Sequence, residues 1–255
     1  MDPEPHVVIP PAPRLEPTPR WVRVRANGRW VADSRRALLL AWYGPGMLPT
    51  YLIPPDDVDS GLIDRTAGES PGPFVPHDVV VDGVRISGGA LEARGLPAPL
   101  SAGEGHWTFT WGGGVTWFEE SLEVLVHARD PSKRVDLAPS SRHVQVHLDG
   151  VLVADSHRPH ALFETLLPTR LYLPPDDVHS EYLEPSSTTS RCPYKGQARY
   201  WDASVNGAVH RDIAWAYAEA IPECPRIAGL ICFLNERADL TVDGARVPRP
   251  VTPWS

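Results

Sequence analysis

Lysine is nearly absent from this chain: of 24 basic residues only Lys133 and Lys195 are lysines, the rest being arginine. The bias follows genome composition, and it makes a lysine inside a motif noticeable. A net charge of -8 argues against a nucleic-acid partner, which normally requires a basic face. Cysteine is also scarce. Cys192, Cys224 and Cys232 are too few and too irregularly spaced for a disulfide framework, which fits a reducing, cytoplasmic setting. No apolar run approaches the ~18–20 residues that cross a membrane. The first 19 residues lack the apolar core of a signal peptide and read as a flexible, proline-rich arm. Phosphate-loop, dinucleotide-binding, zinc-protease and nucleophile-elbow signatures are missing as well. No Cys-x-x-Cys pair is present, so no metal and no cofactor is indicated.

What is present is a repeat. Pro54-Pro55-Asp56-Asp57-Val58 and Ser60 return 120 residues later as Pro174-Pro175-Asp176-Asp177-Val178 and Ser180. Ala32-Asp33-Ser34 returns as Ala154-Asp155-Ser156 at an offset of 122. Ordered matches at nearly constant offset imply duplication, with two domains of roughly 110 residues each. The boundaries expected are an arm over 1–19, a first repeat over 20–140, a second over 141–249 and a tail over 250–255. The duplication further implies a monomer whose repeats form an intramolecular pseudo-twofold pair.

Period-2 patterning dominates. Asn27-Gly28, Asp82-Gly83, Asp149-Gly150 and Asp243-Gly244 each sit between alternating segments, the strongest short-range hairpin signal. The chain is therefore mainly β, two related domains of antiparallel strands. Two short helices are expected over 35–43 and 159–167, capped by the preceding Asp-Ser. Single turns are expected where each Pro-Pro-Asp-Asp ends. The glycine- and proline-rich stretches 68–76 and 95–105 make the first repeat read as the looser copy.

The second repeat alone carries Cys192-Pro193-Tyr194-Lys195-Gly196, followed by Tyr200-Trp201. A lysine three residues from a cysteine would lower the thiol pKa if a turn at Pro193 brought them together. Packing of a buried cysteine is the other reading. Glu164 aligns with Trp42, so a carboxylate facing a pocket in one repeat would be filled by an indole in the other; a solvent-facing helix residue is the alternative. Pro-Pro-Asp-Asp, present in both copies, reads as scaffold. His143 and His147 share a strand face without an evident third ligand.

The order Ala154-Asp155-Ser156, Glu164, Tyr172 to Val178, Cys192 to Gly196, Tyr200-Trp201, Trp215, Tyr217 and Phe233 resembles the family known as domain of unknown function 427. The match is close over 141–249, and the first copy is degenerate. The resemblance implies a compact antiparallel domain of the β-tent kind. Some β-tent relatives hold zinc between Cys-x-x-Cys knuckles or reduce methionine sulfoxide, and this chain has no such knuckles. The family bears a nucleotidyltransferase-like label, yet no Gly-Ser dipeptide leading to paired aspartates occurs here.

The expected site combines Cys192, Lys195 and Glu164 as reactive groups with Asp177, Tyr194, Gly196, Tyr200, Trp201 and Trp215 as ligand-binding groups. That make-up suits a small metabolite. The alternative is an interaction or scaffold protein in which the motif only packs. No membrane or nucleic-acid partner is expected.

Overall fold

The computed structural model describes residues 4–44, 46–65, 70, 72–252 and 255. The chain divides into two units, Pro10–Asp130 and Pro131–Ser255, the latter completed by Met1–Ile9.

The first unit contains β1 (Arg14–Pro17), β2 (Val22–Ala26), β3 (Arg29–Ser34), β4 (Leu38–Ala41), β5 (Thr50–Leu52) and β6 (Ile63–Asp64). It continues with β7 (Phe74–Val81), β8 (Val84–Ala93), β9 (Trp107–Phe109), β10 (Val115–Glu119) and β11 (Leu122–Val124). The second unit contains β12 (Val135–Pro139), β13 (Val144–Leu148), β14 (Val151–Ser156), β15 (His160–Glu164), β16 (Arg170–Leu173) and β17 (Leu183–Cys192). It ends with β18 (Gly196–Val205), β19 (Ala208–Ala220), β20 (Ile231–Phe233), β21 (Asp239–Val242) and β22 (Ala245–Val247).

In the second unit a seven-stranded sheet, β12-β15-β16-β20-β19-β18-β17, accompanies a four-stranded one, β14-β13-β21-β22. The first unit repeats the four-stranded sheet as β3-β2-β10-β11. Its larger sheet is divided into β1-β4-β5 and β9-β8-β7-β6. One antiparallel bridge, Ile53 to Trp107, joins them where Leu173 pairs with Ile231 in the second unit. Strand order is otherwise identical. The first repeat is thus a complete topological copy, mainly β and antiparallel like its partner.

The four hairpins expected from X-Gly pairs all form, each with positive φ at both turn residues. Asn206-Gly207 adds another between β18 and β19. The two expected helices do not form. Residues 35–43 and 159–167 hold β4 and β15 instead, because a short apolar run, Leu38 to Ala41 or Ala161 to Phe163, satisfies a strand as well as a helix turn. Ser34 and Ser156, expected as helix caps, receive the backbone N–H of Arg36 and Arg158 and donate to Asp57 and Asp177. Among the described residues helix occurs only as short 3-10 turns, including Pro55–Asp57 and Pro175–Asp177. No helix there is long and apolar enough to cross a membrane.

The ends also differ from expectation. Arg14–Pro17 is an edge strand on β4 rather than part of an arm, a position that tolerates Pro17 because no partner needs its missing N–H. β12, placed in the first repeat by the sequence boundary at 140, pairs with β15 in the second unit. Val8 donates to Val251, Val251 donates to His6, and Thr252 is buried. Stretch 68–76 lies partly outside the described residues. Stretch 95–105 is no loose loop, since Leu96 and Leu100 are buried.

Each larger sheet buries two faces. One face of the second unit packs Leu173, Ala203, Ile213 and Phe233 against Val144, Val146, Val153 and Leu240 of the four-stranded sheet. The other carries Leu162, Tyr172, Trp215, Tyr217 and Cys232. In the first unit this outer face is Leu40, Leu52, Ala93, Leu96 and Leu100. The outer face is where the copies diverge.

Candidate functional site

Cys192 to Lys195 forms the turn between β17 and β18. Pro193 takes the second position, which its fixed φ suits, and Lys195 N–H donates to the Cys192 carbonyl at 3.3 Å. Gly196 follows at φ +112, where a Cβ would lie 2.8 Å from the Glu219 carbonyl oxygen. Glycine is required there because β19 comes too close for a side chain. Ile221 N–H then donates to the Lys195 carbonyl at 3.1 Å. The turn is therefore clamped to β19, and Lys195 is held over the outer face.

Its ammonium donates to Oε2 of Glu164 at the end of β15. Lys133 Nζ stands 3.5 Å from Oε1 of the same carboxylate and donates to the Thr165 carbonyl at 2.9 Å. Both lysines of the chain thus address one carboxylate. The three side chains are only 6–12% exposed. Glu164 is not the solvent-facing residue of a helix, and in the first unit its place is held by Trp42, packed on the apolar cluster.

Electrostatics separates the two candidate reactive groups. Burial pushes the Cys192 thiol up, and Glu164 adds to this while Lys195 opposes it; the outcome is above the ordinary value. Cys192 is therefore a thiol at neutral pH, not a preformed thiolate. Burial alone would lower the Lys195 pKa, but Cys192 and Glu164 pull it above the usual lysine value. Lys195 is an ammonium, a donor of hydrogen bonds and not an amine nucleophile.

Aromatic side chains line this face. Trp215 Nε1 donates to the Tyr172 hydroxyl at 3.1 Å, and the Tyr200 ring lies 6.4 Å from that of Trp215. Burial holds the Tyr172 and Tyr217 hydroxyls protonated, with Cys232 the next influence on Tyr172 and Cys192 on Tyr217. Burial likewise pushes Cys232 up to about 12 and raises Cys224.

Of the expected residues, Cys192, Lys195, Glu164, Gly196, Tyr200 and Trp215 come together on this face, with Tyr194 half-buried in the turn. Two stand elsewhere. Trp201, one residue after Tyr200, points to the opposite face and packs in the core between the sheets. Asp177 receives the Ser156 hydroxyl at 2.7 Å and Arg158 Nη2 at 2.8 Å. Asp57 receives Ser34 at 2.7 Å and Arg36 at 2.5 Å in the same way. Pro-Pro-Asp-Asp is a scaffold in both copies. A concavity near the bulge of β17 is lined by Ser186, Thr188, Arg199, Tyr200 and Trp201, and shares only Tyr200 with the Lys195 cluster.

One buried pair escaped the sequence. Arg170 Nη1 and Nη2 donate to Glu236 at 2.7 and 2.6 Å, Arg170 also bonds Asn235, and its guanidinium lies 5.4 Å from the Trp215 ring centre. Thr50 stands at the position of Arg170 in the first repeat, so the copy comparison that exposed Glu164 would have exposed Arg170.

A family model described as a domain of unknown function, DUF427, matches residues 14–81 and 136–244. No curated protein matches the chain. The first matched segment begins at β1 and the second within β12, so both start where the structural repeats start.

Proposed function

The chain belongs to the DUF427 family in two copies, and from that premise we propose that the second copy binds a small metabolite on the face bearing Lys195 and Glu164. One observation carries this reading: in a chain otherwise served by arginine, both lysines converge on one buried carboxylate that the first copy replaces with Trp42. A structural ion pair buried in an aromatic face adds little net stability, because desolvation offsets attraction. The first copy forms the same strand order with Trp42 in place of this carboxylate. The pair is then retained for what its ammonium can hold.

Lys195, held charged, and the Tyr200 hydroxyl would bind acceptor oxygens of a small carboxylate or carbonyl compound, with Trp215 as an aromatic wall. Cys192 lines the site as a neutral thiol. Binding, not nucleophilic catalysis, is the activity assigned here. We further place the protein in the cytoplasm, where its three unpaired cysteines persist as thiols, and assign it a monomeric state.

The test is a screen of small carboxylates and carbonyl compounds against the intact chain by ligand-observed NMR. Hits that bind the wild type and vanish in Lys195→Met support the reading. Hits unaffected by that change, or none at all, leave the cluster as packing and favour an interaction protein.

A further inference from the structure

On the four-stranded sheet of the second unit, at the start of β13, His143 faces the end of β14. Its Nε2 lies 2.7 Å from Oδ1 of Asp155. The imidazole of His157 stacks on that of His143, with ring centres 4.0 Å apart and planes 12° from parallel. Gln145 Nε2 donates to Oδ2 of Asp155 at 3.0 Å, fixing the carboxylate's orientation. Donor atoms of His143, Asp155 and His157 all lie within 4.8 Å of one another. The partners of His143 thus come from the neighbouring strand, not from His147 on its own.

The duplication supplies an independent comparison. The same three positions in the first copy are Trp21, Asp33 and Arg35. There Trp21 Nε1 donates to Asp33 Oδ1 at 2.6 Å, and the Arg35 guanidinium stacks 4.4 Å from the Trp21 ring centre. The carboxylate is common to both copies. Each of its flanking residues changes, and both are histidine in the second. A lone change to histidine would leave a carboxylate–imidazole pair. The double change assembles two imidazoles and a carboxylate, the donor set suited to a borderline divalent transition ion.

We propose that His143, Asp155 and His157 bind a divalent ion of the zinc class, with Gln145 orienting Asp155 as an outer partner. A tetrahedral ion with ~2.1 Å bonds needs donor atoms about 3.4 Å apart. The exposed His157 side chain supplies the closure from the present separations. Three protein donors leave one coordination position for water or a ligand oxygen.

Equilibrium dialysis of the metal-stripped, full-length chain against ZnCl2 tests this. One ion per wild-type chain is expected. His143→Trp combined with His157→Arg installs side chains that the fold already accommodates around Asp33, so the variant should stay folded. It should bind zinc at least about tenfold more weakly, the loss that removal of even an outer partner produces. Gln145→Ala should weaken binding by about 10- to 100-fold. No uptake by the wild type overturns the proposal. So does zinc binding that survives the double change, or that is lost instead on Cys192→Ala.

Discussion

Lys195 donates to Glu164 from a turn 31 residues further along the chain, across the outer face of a sheet whose twin repeat holds Trp42 in place of that carboxylate. A lysine ammonium is a compact charge with three donors, whereas the arginine used everywhere else is a planar fork. Two compact charges on one carboxylate leave room on the face that two forks would fill.

Removing the carboxylate should be costly. Glu164→Leu leaves two ammonium groups in a site only 6–12% exposed and should lower stability by about 3–5 kcal/mol, read from urea denaturation. The triple change Glu164→Trp, Lys195→Met, Lys133→Met should recover most of that loss, since the first copy holds Trp42 there. A single change that costs less than ~1 kcal/mol would mean that the pair is solvated.

Cysteine reactivity should follow burial. With its thiol pushed above the ordinary value, Cys192 should alkylate more slowly than a free thiol at pH 7 and accelerate only as pH rises past the normal cysteine range. Cys232, raised to about 12, should react only on unfolding. Rapid labelling of Cys192 at pH 7, measured by mass spectrometry, would contradict this and restore the thiolate reading.

Gly196→Ala and Gly207→Ala form a matched pair. Both glycines have positive φ, but a Cβ at 207 meets open space while one at 196 strikes the Glu219 carbonyl at 2.8 Å. Gly207→Ala should cost about 1 kcal/mol in denaturation, and Gly196→Ala more, within roughly 1–3 kcal/mol for added strain. Only the second should also disturb the Lys195 turn. Equal costs would show that the clamp against β19 yields freely.

The mainly β fold, the duplication and the hairpins were legible because period-2 alternation and X-Gly turns are local signals. β4 and β15 were not, since an apolar run as short as Leu38 to Ala41 or Ala161 to Phe163 fits a short helix and a strand equally well. Comparing the copies singled out Glu164 and the Cys192 turn, which the fold brings together on one face. It read the Pro-Pro-Asp-Asp of Asp177 as scaffold, and was silent on Trp201, whose face depends on strand parity. The trio around Asp155 was readable from hairpin register: Gln145 sits opposite Asp155, which places His143 beside His157.

The repeated Ser–Asp–Arg scaffold should set the acid limit of folding. Arg158 holds the Asp177 carboxyl below its ordinary value, with Ser156 assisting. At Asp57 burial opposes the shift, but Arg36 and Ser34 prevail and its carboxyl is also lowered. A carboxyl whose folded value lies below its unfolded value of about 3.9 contributes stability that is fully present above that pH. The contribution falls away as pH drops below it through the folded value. Asp57→Asn with Asp177→Asn should therefore lower stability at pH 7 and flatten its decline below pH ~4. An unchanged decline would place the acid-sensitive groups elsewhere.

The central claim is tested most directly by titrating a small carboxylate hit from the NMR screen into the wild type and into Lys195→Met by calorimetry. Loss of a charged hydrogen bond of about 1.5–3 kcal/mol should raise Kd by roughly 10- to 150-fold, with both proteins folded by circular dichroism. An unchanged Kd in folded Lys195→Met, or the absence of any binding to the wild type, would contradict the assignment of this face as a ligand site.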